Sequence, residues 1–344
     1  MGAVVRMSDV AEVMGVSTTT VSNAFSRPDQ LSPELRDRIL MRAAKMGYYG
    51  PHVAGRVLKQ GHANAYGVVF MDTLSSAFDD PFELQWLAGF SDELRLTGAS
   101  LVLMAVAPDL QASAQALRNT LVDGIAVTWA THPIMSMARS QGLPVVAGGP
   151  HGPCYVTIDE RSAGRQMGDH LRAQGRDHVC IVTGPVAHPV FAPTISTWDQ
   201  YVTDQEPHEP WSRLTGLVEG LEAATPTTMI AQATHWTRSA GAAAATAALG
   251  RLPQLTALAC VGDQLAVGCC DALRSRGQTV GEDVAVTGFD GTIDAQEHDL
   301  TTIDARAREQ GSRAAQLLVD PDLQPRQAIL GHRLVLRGSS SGLK

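Results

Sequence analysis

Ser8 to Phe25 reads SDVAEVMGVSTTTVSNAF. Val10, Ala11 and Met14 stand at i, i+1 and i+4, which makes one apolar stripe at helical spacing. Gly15 breaks that stripe, and Ser17 is a good N-cap for a second helix. Val21, Ala24 and Phe25 form the inner face of the second helix, and Ala11 is small where two helices would cross closely. Thr18, Thr19, Ser22 and Asn23 fall at i, i+1, i+4 and i+5, so they share one outer strip of short hydrogen-bonding side chains. Two short helices joined by a turn with glycine, the second polar near its N-terminus, is the arrangement that sets side chains against base edges in the major groove. A helical hairpin in some other domain is the plainer alternative, since short apolar stripes are common.

The string D-V-A-x-x-x-G-V-S-x-x-T-V-S, Asp9 to Ser22, resembles the headpiece of the lactose-repressor (LacI/GalR) family of bacterial transcription regulators. The likeness continues through a third helix, a Y-x-P segment at Tyr49 to Pro51, and a hinge. It implies a ligand-responsive regulator, most simply a repressor, that binds a roughly palindromic double-stranded operator as a homodimer. Thr18, Thr19 and Asn23 are then the base readers, and Ser17, Thr20, Ser22, Ser26 and Ser32 the phosphate contacts.

The chain has 344 residues, 44% apolar and 18% charged, which suits two to three ordinary globular domains. No basic start followed by an apolar run opens it, and no apolar span is long enough for a membrane. Cys154, Cys180, Cys260, Cys269 and Cys270 are odd in number and lack C-x-x-C or Cys/His spacing, so reduced thiols and a cytoplasmic compartment are expected, with no structural zinc. The net charge of −8 is unevenly spread: residues 1–60 carry eight Lys/Arg against five Asp/Glu, a surplus of +3, which leaves −11 on the remainder. A small basic head on an acidic body confines phosphate attraction to the head.

Ser32-Pro33-Glu34 is a helix start with a hydroxyl cap, proline at the first position and an acid against the positive helix end. The third helix runs to about Met46, and Leu35, Ile39, Leu40 and Ala43 close a core with Val10, Val21 and Phe25. Gly47 ends it, and a turn follows before Pro51. His52 to Lys59 is too short to be a stable helix alone, since about 12 to 15 residues are needed. The resemblance implies a hinge helix here that inserts a leucine into the minor groove of the operator. Leu58 matches in the register of Pro51 and Arg56, and a one-residue slip gives Val57 the role.

From Tyr66 strands and helices alternate: AYGVVFM, then FELQWLAGFSDELRLTG, then SLVLMAV, and so on to DVAVTGFD. Such alternation means doubly wound parallel sheets, and two units in series make an α/β body of two lobes with a ligand cleft between them. The family resembled has this architecture, similar to periplasmic sugar-binding proteins, with three crossings between lobes. The expected division is an all-α helix-turn-helix headpiece at 1–50, a hinge helix and linker at 51–63, and a body at 64–344. Lobe 1 is expected at about 64–184 and 291–305, and lobe 2 at about 185–290 and 306–338. Crossings are expected near Pro185, near Asp290 and between Thr301 and Arg306.

No phosphate-cradling glycine loop and no G-x-S-x-G elbow occurs, so an enzyme lacks a chemical centre, and no cofactor or metal is expected. The rival readings are a sugar-binding transport receptor and an α/β sugar-metabolising enzyme. Candidate effector ligands stand at strand ends. Asp290 follows DVAVTGF; Arg213, in RLTG, resembles the family arginine that forks onto effector oxygens; Trp236 falls where the family often has an aromatic plate; Asp159, Phe78 and Phe82 complete the ring. Each has a structural alternative as a cap, an ion pair or a core residue. Gly262 stands where the family commonly has asparagine before the aspartate, here Asp263, and the region from Ala187 to Trp211 matches poorly. Carboxylates, a guanidinium and an aromatic plate favour a sugar or sugar derivative, with a purine-like or other polar metabolite as competitor. An inducer would loosen DNA and a corepressor tighten it; the residues do not distinguish them. HRLVLRGSSSGLK at the C-terminus has no leucine heptad, so a dimer is expected over a tetramer built through a tail.

Overall fold

Serine side chains start the second and third helices, and glycines stop the first and third. α1 (Met7–Met14) ends at Gly15, whose φ of 63° is a left-handed conformation that disfavours a Cβ. α2 (Thr18–Ser26) opens on Ser17, whose hydroxyl accepts from the Thr20 N–H at 3.0 Å. α3 (Pro33–Met46) opens on Ser32 and Pro33 and ends at Gly47. The computed structural model describes residues 5–50, 61–70, 73–106, 110–129, 132–185, 190–203, 209–221 and 228–341. It divides into two units, Met1–Ala63 and Asn64–Lys344.

The core of the first unit is Val10, Ala11, Val21, Ala24, Ile39, Ala43 and Tyr48, with Phe25 and Leu35 packed against it. Leu40, expected there, is only partly buried. The three-helix core admits the Leu35–Ile39–Ala43 stripe of α3, and Leu40 lies one position around the helix from it. Tyr48 fills the remaining space, edge-on to Phe25 at a ring separation of 5.6 Å. The hinge residues Arg56, Val57 and Leu58 lie outside the described residues.

In the second unit β1 (Ala65–Phe70), β2 (Ser100–Ala105), β3 (Gly124–Val127), β4 (Val145–Gly148) and β5 (Tyr155–Ile158) join β12 (Gln327–Leu330) in one parallel sheet, ordered β12-β5-β4-β3-β1-β2. β6 (Val179–Thr183), β7 (Thr194–Thr197), β8 (Met229–Gln232), β9 (Ala257–Cys260) and β10 (Ala285–Thr287) form the other, ordered β10-β9-β6-β8-β7. Both are wound as parallel sheets except at β7, which runs antiparallel to β8 at the edge. That strand comes from the stretch between Ala187 and Trp211, where the sequence matched poorly.

The helices of the body are α4 (Leu74–Asp79), α5 (Pro81–Thr97), α6 (Leu110–Arg118), α7 (His132–Arg139), α8 (Glu160–Ala173), α9 (Trp198–Thr203), α10 (Glu209–Leu221), α11 (Arg238–Arg251), α12 (Asp263–Ser275), α13 (Ile293–Glu297) and α14 (Ala307–Val319). Three pairs meet so closely that backbone touches backbone at glycine: α5 with α14 at Gly89 and Gly311, α8 with α10 at Gly164 and Gly216, and α11 with α12 at Gly241 and Gly268. A Cβ at any of these would lie inside van der Waals contact of the facing carbonyl.

These packings revise the expected lobe boundaries. The first crossing follows β5 directly, because α8 packs on α10 of the second lobe, and not near Pro185. α14 packs on α5 and on β3, β4 and β5, and β12 pairs with β5, so most of 306–330 belongs to lobe 1 and not to lobe 2. The remaining crossings are β11 (Thr302–Asp304) and β13 (Arg333–Val335), paired antiparallel. Alternation along the chain orders strands but does not say which sheet a strand joins. All five cysteines are free and buried. Among the described residues no helix is long and apolar enough to cross a membrane.

Candidate functional site

In the first unit Val21 and Ala24 of α2 are fully buried, which turns the opposite face outward. Thr18 and Thr19 are exposed there, with Ser22 and Asn23 half-buried beside them. Asn23 Nδ2 donates to Gln30 Oε1 at 3.0 Å, which orients the amide and commits one of its two hydrogens. Gln30 was not singled out by sequence; only the 3-10 turn at Pro28–Gln30 brings it back over α2. Arg36 Nε donates to the Ala24 carbonyl at 3.3 Å and ties α3 to the end of α2.

The expected phosphate contacts differ in what they have left to give. Ser17 Oγ and Thr20 Oγ1 lie 2.8 Å apart and share one hydrogen between them. Ser32 Oγ accepts from Leu35 N–H as a cap, and its own hydrogen can still donate. Ser26 Oγ donates to the Ser22 carbonyl at 2.8 Å, so a phosphate contact from Ser26 would replace that bond.

The second site is in the second unit, where both lobes contribute. Arg213, 3% exposed, is carried by α10. Its Nε and Nη2 donate to the two carboxylate oxygens of Glu160 at 2.8 and 3.1 Å, and Nη1 donates to the Val261 carbonyl at 2.5 Å. The close α8–α10 approach at Gly164 and Gly216 is what brings Glu160 and Arg213 into register. The guanidinium carbon stands 3.5 Å over the Phe289 ring and 5.9 Å from the Trp129 ring. Phe82, Trp129 and Trp236 make a row of rings with centroids 6.4 and 6.1 Å apart, and Trp236 Nε1 donates to the Pro185 carbonyl at 3.0 Å.

Asp290 lies 3.5 Å from Arg213 Nη1 through Oδ1, which accepts no hydrogen bond, while Oδ2 accepts from the Asp263 N–H at 3.2 Å. Its φ of 116° is strained for a residue with a Cβ, and the Asp290 N–H bond to the Ile303 carbonyl at 2.9 Å holds it there. A Cβ at Gly262 would sit 3.3 Å from Asp290 Oδ2, so the glycine leaves one side of this carboxylate clear. Burial holds the Asp290 carboxyl well above its ordinary range; Arg213 opposes that, and Asp263 and Asp80 add to it. Asp263 is buried too, accepting from Thr302 Oγ1 at 2.6 Å and from Thr292 N and Oγ1 at 2.8 and 2.9 Å, and burial pushes it up to about 6.

Lobe 1 adds two carboxylates. Asp80 caps α5, accepting from Phe82 N at 2.9 Å, and burial pushes it up to about 6. Glu83, 6% exposed, accepts from Thr128 Oγ1 at 3.1 Å through Oε1, its Oε2 is buried without a hydrogen bond of normal geometry, and the Trp129 side chain is a further donor beside the carboxyl. Burial, then the charge of Asp80, pushes Glu83 up to about 8.

Sequence therefore found Phe82, Arg213, Trp236 and Asp290, and the structure gathers them. It does not gather Phe78, 47% exposed on α4, or Asp159, which is exposed and caps α8 by accepting from Ser162 N at 3.0 Å. The neighbouring Glu160 is the carboxylate that meets Arg213. Trp129, just past β3, and Phe289, just past β10, were legible as residues at the carboxyl ends of strands. Glu83 carried no local signal, being one acid in the first turn of an ordinary helix. No group of three His, Cys, Asp or Glu among the described residues could hold a metal ion.

Known proteins resemble this chain over nearly its whole length. Residues 6–50 match the family model of bacterial regulatory proteins, lacI family, and residues 169–340 match a periplasmic binding protein-like domain. An HTH-type transcriptional regulator of Mycolicibacterium smegmatis is 34% identical over 330 residues, covering 92% of this chain and 90% of that protein. The complex of the transcriptional regulator CelR with cellobiose superposes with a TM-score of 0.69 at 25% identity, covering 98% of this chain and all of that one. The lac repressor dimer bound to operator and the anti-inducer ONPF shares the fold, with a TM-score of 0.80 at 22% identity over 98% of this chain and all of that one. The chain is thus a transcription regulator and not an enzyme, and it belongs to the LacI family of bacterial regulatory proteins.

Proposed function

We propose that this chain is a repressor that binds a roughly palindromic operator as a homodimer, and that a small polar effector, a sugar or sugar derivative, changes its operator affinity by filling the cleft between the lobes. The outer face of α2 is the observation that carries the reading. Thr18, Thr19 and Asn23 read bases, and Ser17, Thr20, Ser22 and Ser32 contact phosphates. Asn23 keeps one N–H and its carbonyl oxygen beyond the Gln30 bond, the pair that adenine needs for bidentate contact. The minor-groove role of Leu58 or Val57 beside Arg56 rests on sequence alone. In the cleft, Arg213 and Asp290 offer donors and acceptors beside the Phe82–Trp129–Trp236 row, which suits the edges and faces of a polyhydroxyl ring. A cellobiose complex among the similar structures supports that class.

Effector and operator affinities are then coupled reciprocally, by about 1–3 kcal/mol. The test is a gel shift with DNA upstream of the neighbouring genes, using the full chain, the chain without residues 1–60, and Asn23→Ala. Asn23→Ala is expected to lose about 1–3 kcal/mol of operator affinity, roughly five- to 150-fold. Equal shifts by the full and shortened chains, or an unchanged Asn23→Ala, would falsify the reading.

A further inference from the structure

A cavity of about 210 Å³ begins at Gly291, next to Asp290, and shares none of Phe82, Trp129, Arg213, Trp236 and Asp290 with the cleft. α5 supplies Gln85 from lobe 1, and α13, which packs on α12 of lobe 2, supplies Ile293 and Gln296. Asp304 of β11, Arg333 and Val335 of β13, and Arg337 just beyond it close the remaining side. Arg333, Val335 and Arg337 alternate along extended backbone and so share one face. Two guanidiniums therefore line the cavity against one carboxylate. Arg333 Nη2 pairs with Asp304 Oδ2 at 3.3 Å, and Asp304 Oδ1 accepts from the Arg306 N–H at 3.0 Å, so that carboxylate is engaged on both oxygens. Arg337 Nη1 donates to the Leu300 carbonyl at 2.6 Å, a neutral acceptor, and the guanidinium pairs with no carboxylate among the described residues. The side-chain amides of Gln85 and Gln296 form no hydrogen bond among the described residues. Spare N–H donors beside an uncompensated positive charge suit an anion. A phosphate monoester brings three terminal oxygens and about −1.5 to −2 of charge near pH 7, more than the two oxygens and single charge of a carboxylate. The cavity is smaller than the roughly 300–1,000 Å³ of pockets for drug-sized molecules, so the organic part is small and a duplex cannot enter.

We propose that this cavity is a second ligand site, separate from the effector cleft, and that it binds a small phosphate monoester. Arg333 offsets Asp304 and Arg337 supplies the surplus charge that holds the phosphate; the Gln85 and Gln296 amides complete its hydrogen bonds, and the carbon skeleton lies against Ile293 and Val335. The body is acidic overall, so the attraction acts at contact range inside the cavity and not across the surface. The site depends neither on the effector being a sugar nor on how the operator is read.

The test is titration calorimetry of the full chain with glycerol 3-phosphate, beside glycerol, glycerate and inorganic phosphate. Glycerol 3-phosphate is expected to bind about ten-fold or more tighter than each of the others. Arg337→Gln and Arg333→Gln, checked for folding by circular dichroism, are each expected to weaken it by about ten-fold or more. Arg251→Gln, which removes an exposed guanidinium of α11 outside the cavity, is expected to leave the affinity unchanged. No binding of glycerol 3-phosphate, equal binding of glycerate or inorganic phosphate, or an unchanged affinity in both cavity variants overturns the inference. An equal loss in Arg251→Gln would assign the effect to net charge and overturn it as well. The operator gel shift is untouched by any of these outcomes, so the repressor reading stands or falls separately.

Discussion

Glu83 shows how one residue ties the cleft to stability. Its pKa in the folded chain is about 8 against an ordinary 4.5, so the folded state holds a proton that the unfolded chain has lost. Between those two values the unfolded state binds fewer protons, so the stability that is fully present below about 4.5 is lost as pH rises towards 8. Asp80 and Asp263, each raised from 3.8 to about 6, act in the same direction over the lower window. Urea unfolding of the body is expected to show its midpoint dropping from pH 5 to pH 8, with a shallower drop in Glu83→Gln. A parallel pH profile in the variant would show that the Glu83 carboxyl is not held protonated. Sequence could not announce this residue, because its shift comes from burial and from Asp80, and only the fold supplies the burial.

At the scale of elements, the glycine contacts between helices decide where charged groups land. Gly164 on α8 faces the carbonyl of Arg213 on α10, and a Cβ there would force the helices apart. Gly164→Ala is expected to cost about 1–3 kcal/mol in unfolding experiments and to weaken effector binding by disturbing the Glu160–Arg213 fork. Gly250, inside α11, has open space around its Cβ position, so Gly250→Ala should be neutral or stabilising by up to about 1 kcal/mol. If both substitutions cost the same, the close approach is not what holds α8 to α10. The start of α2 at Ser17, its break after Gly15 and the proline start of α3 were all legible, because caps and stops are local chemistry. The edge strand β7 was not, since its partners in β8 lie 32 to 38 residues away in sequence, Thr197 opposite Met229 and Thr194 opposite Gln232.

For the whole molecule, charge distribution outweighs charge sum. A surplus of +3 in residues 1–60 against −11 in the rest keeps phosphate attraction on one unit. Operator affinity of the full chain is expected to fall linearly in log–log salt plots. With six to ten phosphate contacts the loss is about 10³–10⁵-fold between roughly 50 and 200 mM salt. The body alone should show no such binding at any salt, and a salt-dependent complex with the body alone would place the DNA contacts elsewhere.

The helix-turn-helix strip, the caps and glycine stops, the strand–helix alternation and the uneven charge are all written in the order of residues, because each depends on neighbours within a few turns of chain. The return of α14 and β12 to the first lobe, the meeting of Glu160 and not Asp159 with Arg213, and the place of Trp129 beside Trp236 emerge from folding alone. Those outcomes rest on backbone approach between distant helices and on desolvation of carboxylates, and neither is set by residues adjacent in the chain.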